Sequence, residues 1–332
     1  MPLGAFKTFP WRLLLSGLAV FLHPFHLQAQ SVPTGEMFDP AAEVRGITMT
    51  RAQCAVLEQQ QTAVWVDVDG TAECLRYYAA GLSPSPGPNR IAAAWLHGDI
   101  MGRTGTNADK HQKGLGVAAM IEQEEELSRR YGVPFLFLAR PGSYGSSGKH
   151  FTMRGRPIEA ALVNAEIDAL KARYGIESWS LGGHSGGGTL IAELEARRRD
   201  IRCAVISSGA SAFRAYLEAH HLTKALENPK NWFDPYAALD DVPADPHRRI
   251  FVMGDPRDSN VFFWTQKLYL EGLKKRGYAA WLVPLERAQG EEHHSLVGFA
   301  EAATGMCAKS EPTEAIIDAL QRMPDFPPRI SN

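Results

Sequence analysis

The chain has 332 residues, 45% of them hydrophobic and 22% charged, with a formal net charge of −2. Such values belong to an ordinary globular protein with enough chain for one large core, and they exclude a fibrous, low-complexity or charge-dominated disordered polypeptide. Lys and Arg are scattered, so neither a nucleic acid nor an anionic membrane finds a basic face, and the Arg197-Arg-Arg199 run reads as a helix end where cations offset the dipole.

At the N-terminus, Lys7 and Arg12 precede the apolar run Leu13–Leu22, and Leu27-Gln-Ala-Gln30 comes shortly after it. This pattern predicts a signal peptide over residues 1–29, cleaved after Ala29, and a secreted or periplasmic protein. The apolar run is about half the length of a membrane-spanning helix, and His23, Pro24 and His26 break any continuation of it, so no stable membrane anchor is expected. In an oxidising compartment the four cysteines read as two disulfides, and the absence of a Cys-x-x-Cys spacing argues against a metal site. Cys54 and Cys74 bracket two expected strands, Ala63–Asp67 and Ala72–Tyr78, joined by the hairpin signal Asp69-Gly70. Pairing these two leaves Cys203 with Cys307 by elimination.

Beyond the hairpin, short apolar runs alternate with helix-period segments, the pattern of a mostly parallel sheet covered on both faces. Expected strands are Arg90–Leu96, Pro134–Ala139, Trp179–Leu181, Ile201–Ile206, Ile250–Met253 and Ala280–Val283. Helices are expected over 116–130, 157–174, 186–199 and 262–275, with a final one near Thr313–Arg322. No linker divides residues 30–332, so a single domain is expected, and the aromatic-rich connection 211–249 reads as a small cap over the crevice.

Within that pattern, Ser178-Trp-Ser-Leu-Gly-Gly-His-Ser-Gly-Gly-Gly-Thr189 reads as a strand entering a glycine-flanked turn that opens a helix. A serine hydroxyl attacks well only when it stands clear of the backbone beside a base, and Gly183 and Gly187 remove the side chains that would clash across so sharp a turn. Ser185 is therefore the candidate nucleophile. His97, Arg140, Asp255, Asp258, His293 and His294 all fall at carboxyl ends of expected strands, where an open α/β sheet forms its crevice.

Four segments together resemble the α/β-hydrolase superfamily over most of residues 63–322: Gly183-His-Ser-Gly-Gly187, Leu96-His-Gly-Asp99, Arg140-Pro-Gly-Ser-Tyr-Gly-Ser-Ser-Gly148 and Gly254-Asp-Pro-Arg-Asp-Ser-Asn-Val261. The resemblance implies an α/β-hydrolase fold and a Ser-Asp-His order of catalytic groups. It implies His294, followed by the small Ser295, as base, with His293 as the alternative. Asp258 is implied as the acid by its Asp-x-x-Val spacing to Val261, with Asp255 as the alternative. The backbone N–H of Gly186, with that of Gly98 or Asp99, would form the oxyanion hole. His97, Arg140, Tyr144 and Trp232 are candidate substrate contacts, Arg140 as a fork for a carboxylate. Trp232-Phe-Asp-Pro-Tyr236 is similar to a segment of prolyl-oligopeptidase-like hydrolases. The expectation is an exported serine hydrolase that cleaves a small-molecule ester and needs neither metal nor organic cofactor. A small peptidase or amidase on the same triad, and a non-catalytic binding protein on the same fold, are the alternatives.

Overall fold

A computed structural model describes, besides Met1, residues 35–83, 89–102, 105–106, 112 and 114–325. The signal-like segment expected at 1–29 lies, Met1 apart, outside the described residues. Two short helices come first, α1 (Pro40–Arg45) and α2 (Arg51–Gln59). The Asp39 carboxylate accepts the N–H groups of Ala41 and Ala42, and Thr50 forms a reciprocal capping box with Gln53. Strands β1 (Ala63–Val68) and β2 (Thr71–Ala80) then form an antiparallel hairpin. Asp69 and Gly70 both take positive φ, 52° and 80°, as a two-residue turn matching strand twist requires.

The chain continues through β3 (Asn89–Leu96), α3 (Val117–Tyr131), β4 (Phe135–Leu138), α4 (Pro157–Tyr174), β5 (Ile176–His184), α5 (Gly186–Glu195) and β6 (Ile201–Ser207). After β6 come α6 (Phe213–Ala219), α7 (Thr223–Leu226), β7 (Arg249–Gly254), α8 (Phe263–Lys275), β8 (Ala280–Pro284), α9 (Val297–Ala308) and α10 (Thr313–Arg322). The main sheet runs in the order β1-β2-β4-β3-β5-β6-β7-β8. From β4 to β8 along that order all pairings are parallel, while β2 joins β1 and β4 antiparallel. Strand β5 is central, and it runs to His184, three residues past its expected end, so that it delivers the chain directly to Ser185.

The continuous apolar runs follow from two cores, one on each face. Phe135, Phe137, Cys203, Val205, Phe251 and Met253 enter one, and Leu136, Leu138, Ala204, Ile206, Ile250 and Val252 enter the other. Helices α3, α9 and α10 cover the first face and α4, α5 and α8 the second. Helix α9 has no counterpart among the sequence expectations, which place only one helix after the last strand. All but one of its 12 residues are buried, so it has no polar face to set up an amphipathic period. It lies tightly on the sheet: a Cβ on Gly182 would fall 2.0 Å from Thr304 Oγ1, and one on Gly305 would fall 2.3 Å from the Tyr131 ring. Among the described residues no helix is long and apolar enough to cross a membrane.

Cys54 is joined to Cys74, tying α2 to β2, and Cys203 to Cys307, tying β6 to α9. The sequence separations are 20 and 104 residues, so restriction of the unfolded chain gives about 3 kcal/mol for the first bridge and about 4.7 kcal/mol for the second. Urea unfolding is expected to show a larger loss for Cys203→Ala/Cys307→Ala than for Cys54→Ala/Cys74→Ala, and thiol titration of the unreduced, unfolded protein should find no free thiol. The reverse order, or four titratable thiols, would refute this account.

Candidate active site

Ser185 joins β5 to α5 with φ 53° and ψ −119°, a conformation that costs a non-glycine residue about 1–3 kcal/mol. The surroundings enforce it. Ser185 N–H donates to Ser207 O at 2.8 Å, and the Ser185 carbonyl accepts from Thr189 N at 2.9 Å and Thr189 Oγ1 at 3.2 Å. A Cβ on Gly183 would sit 2.5 Å from the Gly187 carbonyl, and one on Gly187 would sit 2.2 Å from Leu96 O. The two flanking glycines are thus required by contact rather than by their own dihedral angles. A Cβ on Gly98 would lie 3.3 Å from Ser185 Cβ, which sets the loop after β3 beside Ser185. Gly186, at the first turn of α5, is so close to that loop that a Cβ there would meet Asp99 Oδ1 at 2.2 Å.

The acid loop follows β7. Asp258 Oδ1 accepts the N–H groups of Asn260 and Val261, each at 2.9 Å, and Oδ2 accepts from His294 Nδ1 at 2.8 Å. A carboxylate only accepts, so Nδ1 carries a proton, and in the neutral imidazole the lone pair is on Nε2. That Nε2 is buried and without a hydrogen-bond partner, and the His294 ring centroid lies 4.8 Å from that of His184, the residue before Ser185. Ser185 and His294 line one cavity of about 1650 Å³. The histidine loop is tied down by Ser208, at φ 47°, whose Oγ donates to His294 O at 2.8 Å, and by Glu292, which accepts from Ser259 N and Asn260 Nδ2.

The alternative residues are occupied otherwise. Asp255 accepts from Arg257 N, Nε and Nη2 and from Ala288 N, so its carboxylate shapes the turn. His293 takes φ 52° and is not among the cavity-lining residues. Trp232 lines the cavity, with its indole N–H donating to Ala225 O at 2.7 Å. One expected substrate contact needs correction. Tyr144 is fully buried against Phe38, His97 and Phe137 and does not line the cavity. Arg140 lines the cavity but is 1% exposed, with Nε donating to Glu159 Oε1 and Nη1 to Asp99 Oδ1, each at 2.8 Å, and Nη1 also to His97 O at 3.2 Å.

Arg140 therefore ties the loop after β3 to α4, a role hidden in the sequence because Glu159 is a helix residue 19 positions away. Burial alone would raise the Asp99 carboxyl, but the charges of Arg140 and Arg154 hold it below the usual carboxylate range. Burial, then the Arg140 charge, keeps His97 well below its usual pKa and pushes His150 down to about 3. His97 is held as the neutral imidazole by its Nδ1–H donating to Gly98 O at 2.6 Å and its Nε2 accepting from Arg140 N at 3.3 Å. Sequence reasoning missed His184, Ser208, Asn260 and Glu159 as supports of the site. His184, inside the serine motif, and Asn260, inside the segment 254–261, carried a local signal.

The chain has the α/β-hydrolase fold. The acylaminoacyl peptidase of Pyrococcus horikoshii is similar at a TM-score of 0.51 and 11% identity, over 86% of this chain and 46% of that one. This chain thus spans less than half of that peptidase. Est1E from Butyrivibrio proteoclasticus, solved with ferulic acid bound, is 15% identical over 78% of this chain and 96% of its own at a TM-score of 0.49. The esterase Pf2001 of Pyrococcus furiosus is 14% identical over 79% and 93% at 0.49. No protein-family model matches the sequence, and no curated protein sequence matches it significantly.

The buried His150 makes pH a test of the packing around Asp99. Between its usual 6.5 and about 3 the unfolded imidazole binds a proton that the folded one refuses. Stability from this group is therefore complete above pH 6.5 and is lost as pH falls through that window. Unfolding free energies of the wild type and His150→Gln should diverge by roughly 1.4 kcal/mol per pH unit on acidification below 6.5, with the wild type falling faster. Parallel curves would show that His150 is not held neutral.

Proposed function

We propose that the protein is an exported serine hydrolase that cleaves a carboxylic ester through an acyl-enzyme. The observation that carries this reading is the His294 Nδ1 bond to Asp258 at 2.8 Å, which leaves a lone-pair Nε2 without a partner in the wall of the cavity that Ser185 also lines. His294 Nε2 takes the Ser185 proton as Oγ bonds to the ester carbonyl carbon, and Asp258 stabilises the imidazolium. Backbone N–H groups of Gly186 and of Gly98 or Asp99 hold the developing oxyanion. The tetrahedral species then breaks its C–O bond, and the departing alkoxide leaves as an alcohol with the proton from His294. Water, deprotonated by the same imidazole, attacks the acyl-enzyme, and its collapse releases the acid and restores Ser185. Export rests on the signal-like residues 1–29 and agrees with two disulfides, and residues 211–249 serve as the cap of a single domain 30–332.

Ser185 in the native protein is expected to react with a fluorophosphonate probe, and Ser185→Ala to lose both the label and turnover. Silence of the native protein beside a labelled control enzyme would support a non-catalytic binding protein instead. His294→Ala and Asp258→Asn should each lower kcat by about a thousandfold or more, while His293→Ala stays within about threefold. Equal, modest losses at both histidines would overturn the assignment. Faster cleavage of aminoacyl nitroanilides than of short-chain p-nitrophenyl esters would replace the ester with an amide on the same groups.

A further inference from the structure

Helix α6 places Phe213, Tyr216 and its C-terminal cap His220 on one side, at spacings of three and four residues. The opposite side carries the exposed pair Arg214–Glu218. The rings form a ladder. Trp232 meets Phe213 at 5.7 Å, Phe213 stacks on Tyr216 at 5.7 Å, Tyr216 meets His220 at 4.6 Å, and His220 stacks on Phe262 at 4.9 Å.

An aromatic cluster ordinarily serves the core, but none of these rings belongs to either main core of the protein. Phe213, Tyr216, His220 and Trp232 are only half-buried, and all four line the cavity that contains Ser185. Their polar edges are partly committed elsewhere: Trp232 Nε1 donates to Ala225 O and His220 Nε2 donates to Asn260 O, each at 2.7 Å. From the indole the cavity therefore receives ring carbon and π-surface. Phe151, on the turn after β4, lines the same cavity and is 53% exposed.

We infer that Phe213, Tyr216 and Trp232 form an aryl-binding subsite, so that the ester cleaved at Ser185 carries a flat aromatic ring in its acyl or its alcohol half. The identity of the ligand as an ester rests on the hydrolase reading, whereas recognition of the ring does not. A flat ring gains offset or edge contacts with neighbouring rings beyond the area it buries, and a saturated ring of similar size gains the burial alone. Offset stacking of this kind corresponds to about twofold to tenfold in affinity for each ring pair.

The test pairs methyl 3-phenylpropionate with methyl 3-cyclohexylpropionate, and benzyl acetate with cyclohexylmethyl acetate. Affinity is read by calorimetry on Ser185→Ala, and kcat/KM by acid release on the wild type. At least one pair should favour the phenyl compound by about fivefold or more in affinity, and Phe213→Leu and Trp232→Leu should each bring that ratio toward one. Phenyl preference in Ser185→Ala with an inert wild type would sustain the subsite and remove the hydrolase reading. An active wild type in which both pairs are bound and cleaved equally would overturn the subsite and leave the hydrolase reading standing. The wild-type comparison needs no cap variant, so it decides the matter even where a cap variant fails to fold.

Discussion

The reversal of the chain at Ser185 is the constraint on which the site depends. A residue with a side chain is held at positive φ between the central strand and α5, and this is possible only where backbone approaches backbone without an intervening Cβ. Gly183 packs on Gly187, and Gly187 packs on the carbonyl of Leu96 at the end of β3. The same contacts that force the turn therefore pull the loop after β3 against it. The loops after β6, β7 and β8 then converge, through Ser207, Ser208 and Asp258, on Ser185 and His294.

Electrostatics separates the histidines that this convergence gathers. His97 and His150 lie in full burial beside the Arg140 guanidinium, which disfavours a second positive charge, and they serve as neutral packing and hydrogen-bonding groups. His294 alone among these three has a carboxylate on Nδ1 and an unused Nε2. Arg140 itself is a buried charge, tolerable because Glu159 and Asp99 fill its fork; deleting either partner would leave charge uncompensated. The end of α6 is fastened to the same framework, since His220 donates to the carbonyl of Asn260, whose N–H Asp258 accepts.

The sheet was legible because strands buried between two apolar cores read as short continuous apolar runs, and because Asp69-Gly70 marks a tight hairpin. Helix α9 was not, because burial on every side erases the contrast between faces that betrays a helix. Thr50 and Gln53 did carry a capping signal for α2, directly ahead of the apolar Cys54-Ala-Val-Leu57, but a helix of 9 residues is too short to establish a helical period. Arg140 and Tyr144 illustrate the same limit within the site. Both sit in a glycine-rich turn at the carboxyl end of a strand, yet one meets a carboxylate on another helix and the other turns inward onto Phe137.

The sequence by itself determined the order of the main strands, the glycine-flanked turn at Ser185, and the carboxylate and histidine pairs that fall at strand ends near it, because these rest on local spacing and on what glycine permits. Only the tertiary structure shows that, of Asp258 and Asp255 and of His294 and His293, it is Asp258 and His294 that meet. Each pair lies on one loop with the same local chemistry. What distinguishes the acids is the partner each meets: Asp258 reaches the His294 imidazole, whereas Asp255 takes up Arg257 and the backbone N–H of Ala288. Such meetings depend on crossover packing between residues far apart in the chain, and local sequence carries no record of them.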